Sequence, residues 1–142
     1  MRSFAIPQLR AEFTFTTPIQ LRFSDIDVMG HVNNATYFTY AEQARIYFFH
    51  QLVGDEWNWN KQCILVARNE MDYLMPIHFN DKVDIHVFCK HIGNKSYTLG
   101  YRYMRGDQLC AIGASVLVCF DYEERRTMEV PERWRKLLGE LG

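Results

Sequence analysis

Two aspartates one residue apart, a glycine, a histidine and two asparagines stand together in the stretch FSDIDVMGHVNNATYF, Phe23 to Phe38. Polar groups this dense are costly to order and bury without partners, so their clustering asks for a chemical reason. Asp25 and Asp27 offer carboxylates, which attack a carbonyl carbon or activate water. Asn33, Asn34 and Ala35 fall where a helix is expected to begin. A helix start carries unpaired backbone N–H groups and partial positive charge. It holds an anion, or an oxygen becoming one, which is what acyl transfer needs at its oxyanion stage. Gly30 permits a tight turn and the close approach of a substrate. His31 is suited to orient substrate or to move a proton. Of the two acids, Asp27 lies nearer the helix and is the expected working carboxylate, as nucleophile or general base.

The same residues also suit a purely structural role, because aspartates close loop turns and asparagines cap helices. Spacing alone leaves both readings open. Glu42 and Arg45, three apart on the expected helix, are expected to pair with each other or with neighbouring strands, and a catalytic Glu42 is a lesser alternative. Lys90, His91 and Lys95 form a small basic spot around a turn, either solvated surface or a phosphate contact.

The elements that must position these groups are legible in the hydrophobic pattern. EFTFTTPIQLRFSD alternates and predicts a strand, with Pro18 at an edge or bulge. In ATYFTYAEQARIYFFHQLVG, Tyr37, Ala41, Ala44, Phe48 and Leu52 recur at helical steps, predicting a helix of about 20 residues, roughly 30 Å long. It should start at Asn33 or Asn34 and stop at Gly54. Phe38, Tyr40, Ile46, Tyr47 and Phe49 lie off that stripe, so the helix needs cover on several sides, as a curved sheet would give. DEWNWNKQ reads as a loop. CILVARNEMDYL, DKVDIHVFCKHI, KSYTLGYRYMR and LCAIGASVLVCFDY read as strands, with turns at Gly93-Asn94 and Arg105-Gly106-Asp107. The last strand is small or apolar on both faces and belongs centrally. A short helix, Glu132 to Leu138, should close the chain. The result is one α+β domain over residues 1–142, an antiparallel sheet with a buried helix.

Composition narrows the function classes. With 142 residues, 23% charged, and a formal net charge of -1, the chain suits a single soluble domain and gives no sign of nucleic-acid binding. Aromatics make up 15%, enough for a bulky core, a subunit interface or an apolar ligand tunnel. Cys63, Cys89, Cys110 and Cys119 lack metal-site spacing and read as reduced thiols, not zinc ligands. Without an apolar signal core or a stretch of about 18 apolar residues, a cytoplasmic protein with no membrane span is expected.

RFSDIDVMGHVNNATYFTYAEQAR, Arg22 to Arg45, resembles the signature of hotdog-fold acyl-CoA thioesterases of the 4-hydroxybenzoyl-CoA thioesterase type. EMDYLMPIHFNDKVDI and VCFDYEERRTMEVP resemble the family's later segments, so nearly the whole chain is covered. The resemblance implies a hotdog fold, a five-stranded antiparallel sheet wrapped around one long central helix. It implies homodimers with a continuous sheet, sometimes paired into homotetramers, with active sites between subunits. Asp27 matches the catalytic aspartate, and Asn34 the position whose backbone N–H polarises the thioester carbonyl. His31 is carried with them as catalytic. Gly30, Asn33 and Tyr37 are expected at the substrate, and Lys90 and Lys95 at the nucleotide phosphates. No metal or cofactor is implied, CoA being part of the substrate. The sequence VMGHVNN after the aspartate departs from members acting on 4-hydroxybenzoyl-CoA. The H-V-N-N form is also similar to fatty acyl thioesterases, including those acting on acyl-carrier protein. Enoyl-thioester hydration is a competing activity, although its D-x-N-x-x-H spacing is not matched. A non-catalytic acyl-CoA binding module is the alternative from another class.

Overall fold

The computed structural model describes residues 15–54 and 62–139. The expected strand residues before Phe15 and the tryptophan loop, 55–61, lie outside them. In chain order the elements are β1 (Phe15–Pro18), a single 3-10 turn (Phe23–Asp25), α1 (Thr36–Val53), β2 (Gln62–Tyr73), β3 (Asp84–Ile92), β4 (Ser96–Arg105), β5 (Gln108–Asp121), β6 (Arg126–Thr127) and α2 (Glu132–Gly139). The strands form one antiparallel sheet in the order β1-β3-β4-β5-β2, with the two-residue β6 added to β5. The central place expected for β5 holds, since it lies between β4 and β2.

Alternation along β4 fixes the inner face of the sheet. Tyr97, Leu99, Tyr101 and Tyr103 are all buried, joined by Ile85 and Val87 of β3 and Leu117 and Cys119 of β5 in one core. Helix α1 crosses this face and buries Tyr37, Tyr40, Ala41, Ala44, Phe48, Phe49 and Val53. Ring contacts pin it at both ends. Tyr37 meets Tyr103 at 5.4 Å and Tyr73 at 4.9 Å near its start. Phe48 meets Phe15, and Phe49 meets Tyr97 and Trp134, near its end. Burying each such side chain contributes about 1.5–3 kcal/mol, so tertiary packing outweighs helix propensity here. This is the hotdog arrangement. Of the off-stripe residues expected to need cover, Ile46 and Tyr47 are exposed.

Three local expectations need correction. The first strand does not run to Phe23: it ends at Pro18, and Phe23–Asp25 coil into the 3-10 turn. Helix α1 begins at Thr36 rather than Asn33 or Asn34, because the asparagines close a separate turn before it. The β3–β4 turn is centred on Asn94-Lys95, since the Gly93 N–H reaches the Ser96 carbonyl at 2.7 Å. Gly54 does stop α1, with φ +63°, and α2 closes the chain as expected. Cys89, Cys110 and Cys119 are buried free thiols and Cys63 is half-buried.

Candidate active site

The polar motif folds into two consecutive tight turns. In the first, the Asp27 N–H donates to the His31 carbonyl at 2.8 Å and the Gly30 N–H to the Asp27 carbonyl at 3.0 Å. Gly30 sits at φ +84°, a conformation that L side chains resist. Asp27 Oδ1 accepts the backbone N–H groups of Met29 at 2.9 Å and His31 at 3.2 Å. One carboxylate oxygen therefore shapes the loop, as the structural reading held. Among the described residues no donor reaches Oδ2, which leaves it for chemistry.

The second turn selects a single amide. The Asn33 N–H donates to the Asp25 carbonyl at 2.9 Å, and Thr36 and Tyr37 N–H groups donate to the Asn33 and Asn34 carbonyls. The Ala35 N–H is taken by Asn33 Oδ1 at 2.9 Å. Only the Asn34 N–H has no acceptor among the described residues. Of the three amides expected at the helix start, the fold thus withholds Asn33 and Ala35 and offers Asn34, where the macrodipole of α1 adds positive potential.

Asp25 and Asp27 do not act as a pair. The 3-10 turn breaks the extended segment that would have aligned them. Asp25 Oδ2 instead accepts the Tyr40 hydroxyl at 2.6 Å and the Arg22 N–H at 3.0 Å. Burial pushes the Tyr40 phenol well above the usual tyrosine range, and the hydrogen bond to Asp25 adds to the shift.

Asp27, His31, Asn34 and Tyr37 line one cleft of about 310 Å³ with Val32 and Tyr73–Pro76. Gly30 and Asn33 stand outside its lining and build the turns that border it. His31 is fixed through its backbone and by His78, whose ring meets its own edge-to-face at 5.0 Å. Burial pushes the Tyr37 phenol up to about 12 and also raises that of Tyr73, so both hydroxyls stay protonated near neutrality. Tyr73 is the residue that sequence reasoning missed. Its position as the last residue of β2, just ahead of LMP, was the available signal.

Lys90 and Lys95 are not brought to this cleft within one chain. Lys90 lies over Gly100 beside Phe88, and Lys95 precedes β4. The cleft is at the other end of that strand, near Tyr103, about 20 Å beyond Tyr97. Glu42 and Arg45 line a different cleft, of about 250 Å³, between α1 and the β2–β5 pair. Arg45 Nη1 donates to the Tyr101 hydroxyl at 3.1 Å and to Ser115 Oγ at 3.3 Å, so it pairs with strands rather than with Glu42. Among the described residues no cluster of His, Cys, Asp and Glu is arranged to hold a metal ion. No described helix is long and apolar enough to cross a membrane.

Comparison with known proteins places this geometry. The model of the thioesterase-like superfamily matches residues 21–138. An uncharacterised protein of Bacillus subtilis (strain 168), YsmA, is 31% identical over 132 residues, 91% of this chain and 88% of its own. A predicted thioesterase from Bacillus stearothermophilus superposes with a TM-score of 0.80 at 28% identity, covering 90% of this chain and 96% of its own. A thioesterase from Thermus thermophilus, solved with coenzyme A and Zn, superposes with a TM-score of 0.76 at 33% identity, covering 89% and 92%.

Proposed function

The chain belongs to the thioesterase-like superfamily, and on that premise we propose that it is an acyl-CoA thioesterase, converting an acyl thioester and water to a free acid and CoA. The observation that carries the reading is the pairing of one open amide with one open carboxylate oxygen. Asn34 and Asp27 line the same cleft, and the Asn34 N–H and Asp27 Oδ2 have no protein partner among the described residues.

In this mechanism the thioester carbonyl accepts the Asn34 N–H, which stabilises the oxygen as it gains negative charge. Asp27 either attacks the carbonyl carbon, giving an anhydride that water opens, or takes a proton from the attacking water. The carbon–sulfur bond breaks and the thiolate leaves as CoA thiol, taking a proton that His31, which lines the cleft, would supply. The coenzyme A bound to the Thermus thermophilus thioesterase supports CoA rather than a carrier protein as the leaving group. A homodimer through β2 is part of the proposal. That strand has β5 as its one partner among the described residues, exposes Leu65 and Val66, and ends in the cleft wall. The buried free thiols suit a reducing, cytoplasmic setting.

The test is thiol release from a panel of acyl-CoAs by the parent and by Asp27→Asn, which keeps an Oδ1 for the loop. A loss of about a hundredfold or more supports the assignment, whereas activity within a few-fold of the parent removes Asp27 from the mechanism.

A further inference from the structure

We propose that Tyr73 is a positioning residue for the oxyanion amide. The inference rests on the role proposed above for Asn34 and adds what holds that residue in place. Tyr73 is the final residue of β2 and its hydroxyl donates to the Asn34 carbonyl at 2.9 Å. Among the described residues the one backbone donor to that carbonyl is the Tyr37 N–H, at the longer 3.3 Å. Asn34 itself is exposed, in a turn outside α1, and its side chain makes no hydrogen bond among the described residues. The Tyr73 bond is therefore the stronger tie on a residue that packing does not hold.

The strand makes this tie rigid. Tyr73 pairs with Ala111 of β5, and the two residues after it stay anchored, since the Leu74 and Met75 N–H groups both donate to the Cys110 carbonyl. The Tyr73 ring meets the Tyr37 ring edge-to-face at 4.9 Å. Hydroxyl and ring together fix the Asn34 turn to the sheet. Catalytic donors gain their advantage from being held in place before charge develops, with no reorganisation at that moment. Burial raises the Tyr73 phenol above its ordinary value, which keeps the donor protonated near neutrality.

Tyr73→Phe removes the hydroxyl and keeps the ring on Tyr37. Two readouts separate positioning from a merely structural role. First, kcat for thiol release should fall about tenfold with KM changed less than about twofold, because an aligned amide matters most once the oxyanion forms. Second, the backbone amide of Asn34, followed by its nitrogen–proton NMR signal in the folded protein, should shift from its position in the parent, while the Thr39 and Ala41 amides stay unchanged. An unaltered Asn34 amide, or a loss in KM alone, overturns the proposal. If the parent hydrolyses no thioester, the proposed function fails, and the Asn34 signal still decides whether Tyr73 holds that turn.

Discussion

The Tyr40 hydroxyl sits 2.6 Å from Asp25 Oδ2 and donates to it, which separates the two acids of the DID sequence by role. Asp25 ties the loop to the second turn of α1, and Asp27 is left lining the cleft. Tyr40→Phe removes a hydrogen bond to a charged acceptor and should destabilise the fold by about 1.5–3 kcal/mol. Chemical denaturation measures that loss. Thiol release per folded molecule should stay within a few-fold of the parent, in contrast to Asp27→Asn.

Gly30 has open space around the site of a Cβ but a φ of +84°. Gly30→Ala should therefore cost about 1–2 kcal/mol from backbone strain alone. The turn that aims Asp27 would also widen, so activity should fall further than stability. Parallel unfolding and thiol-release assays on one preparation would reveal a purely global effect if the two losses matched.

Asp81 and Arg105 hold the outer wall of the cleft. Arg105 Nη1 lies 2.7 Å from Asp81 Oδ2 and also donates to the Pro76 carbonyl at 3.1 Å. Burial pushes the Asp81 carboxyl up, but the His78 backbone N–H and the Arg105 guanidinium outweigh it and hold the group below its ordinary value. Because folding lowers this pKa, the stabilisation is complete above the unfolded-state value of about 4 and fades as pH falls through the lower folded-state value. For a partly exposed pair it amounts to about 1 kcal/mol or less. Melting of the parent and of Asp81→Asn should differ at pH 7 and converge in acid. A gap that widens on acidification contradicts this.

Gly113 lets β2 and β5 pack closely. A Cβ there would lie 2.7 Å from Met71 Sδ and 2.9 Å from the Glu70 carbonyl oxygen. The methionine can yield but the backbone of β2 cannot, so Gly113→Ala should cost roughly 1–3 kcal/mol. A denaturation midpoint equal to the parent's would show that the strands part without penalty.

Much of this architecture was legible in the chain because periodicity is a local property. The four-and-three steps of Tyr37, Ala41, Ala44 and Phe48 gave α1, and the alternation from Tyr97 to Tyr103 gave the inner face of β4. What stayed hidden depends on partners far along the chain. Nothing near Asp25 announces that Tyr40 will claim it, so the sequence separated the two acids only by their distance from the helix. The start of α1 was misplaced because Asn33 and Asn34 have the chemistry of caps, and only the folded turn shows them closing a loop ahead of the helix. Tyr73 went unnoticed because its hydroxyl acquires meaning only when β2 ends beside Asn34, 39 positions away in sequence. Lys90 and Lys95 were grouped by charge, a property that says nothing about which end of the sheet they occupy.

The Asn33 turn has a stereochemical consequence. Asn33 commits its own N–H to the Asp25 carbonyl and accepts the Thr36 and Ala35 N–H groups through its carbonyl and side-chain oxygen, which leaves the Asn34 amide as the one vacancy in the turn. In the proposed mechanism, an acyl group whose oxygen takes that amide and whose chain is held by the cleft walls would turn one side of its trigonal carbon to Asp27, so its two faces would be inequivalent before any bond is made.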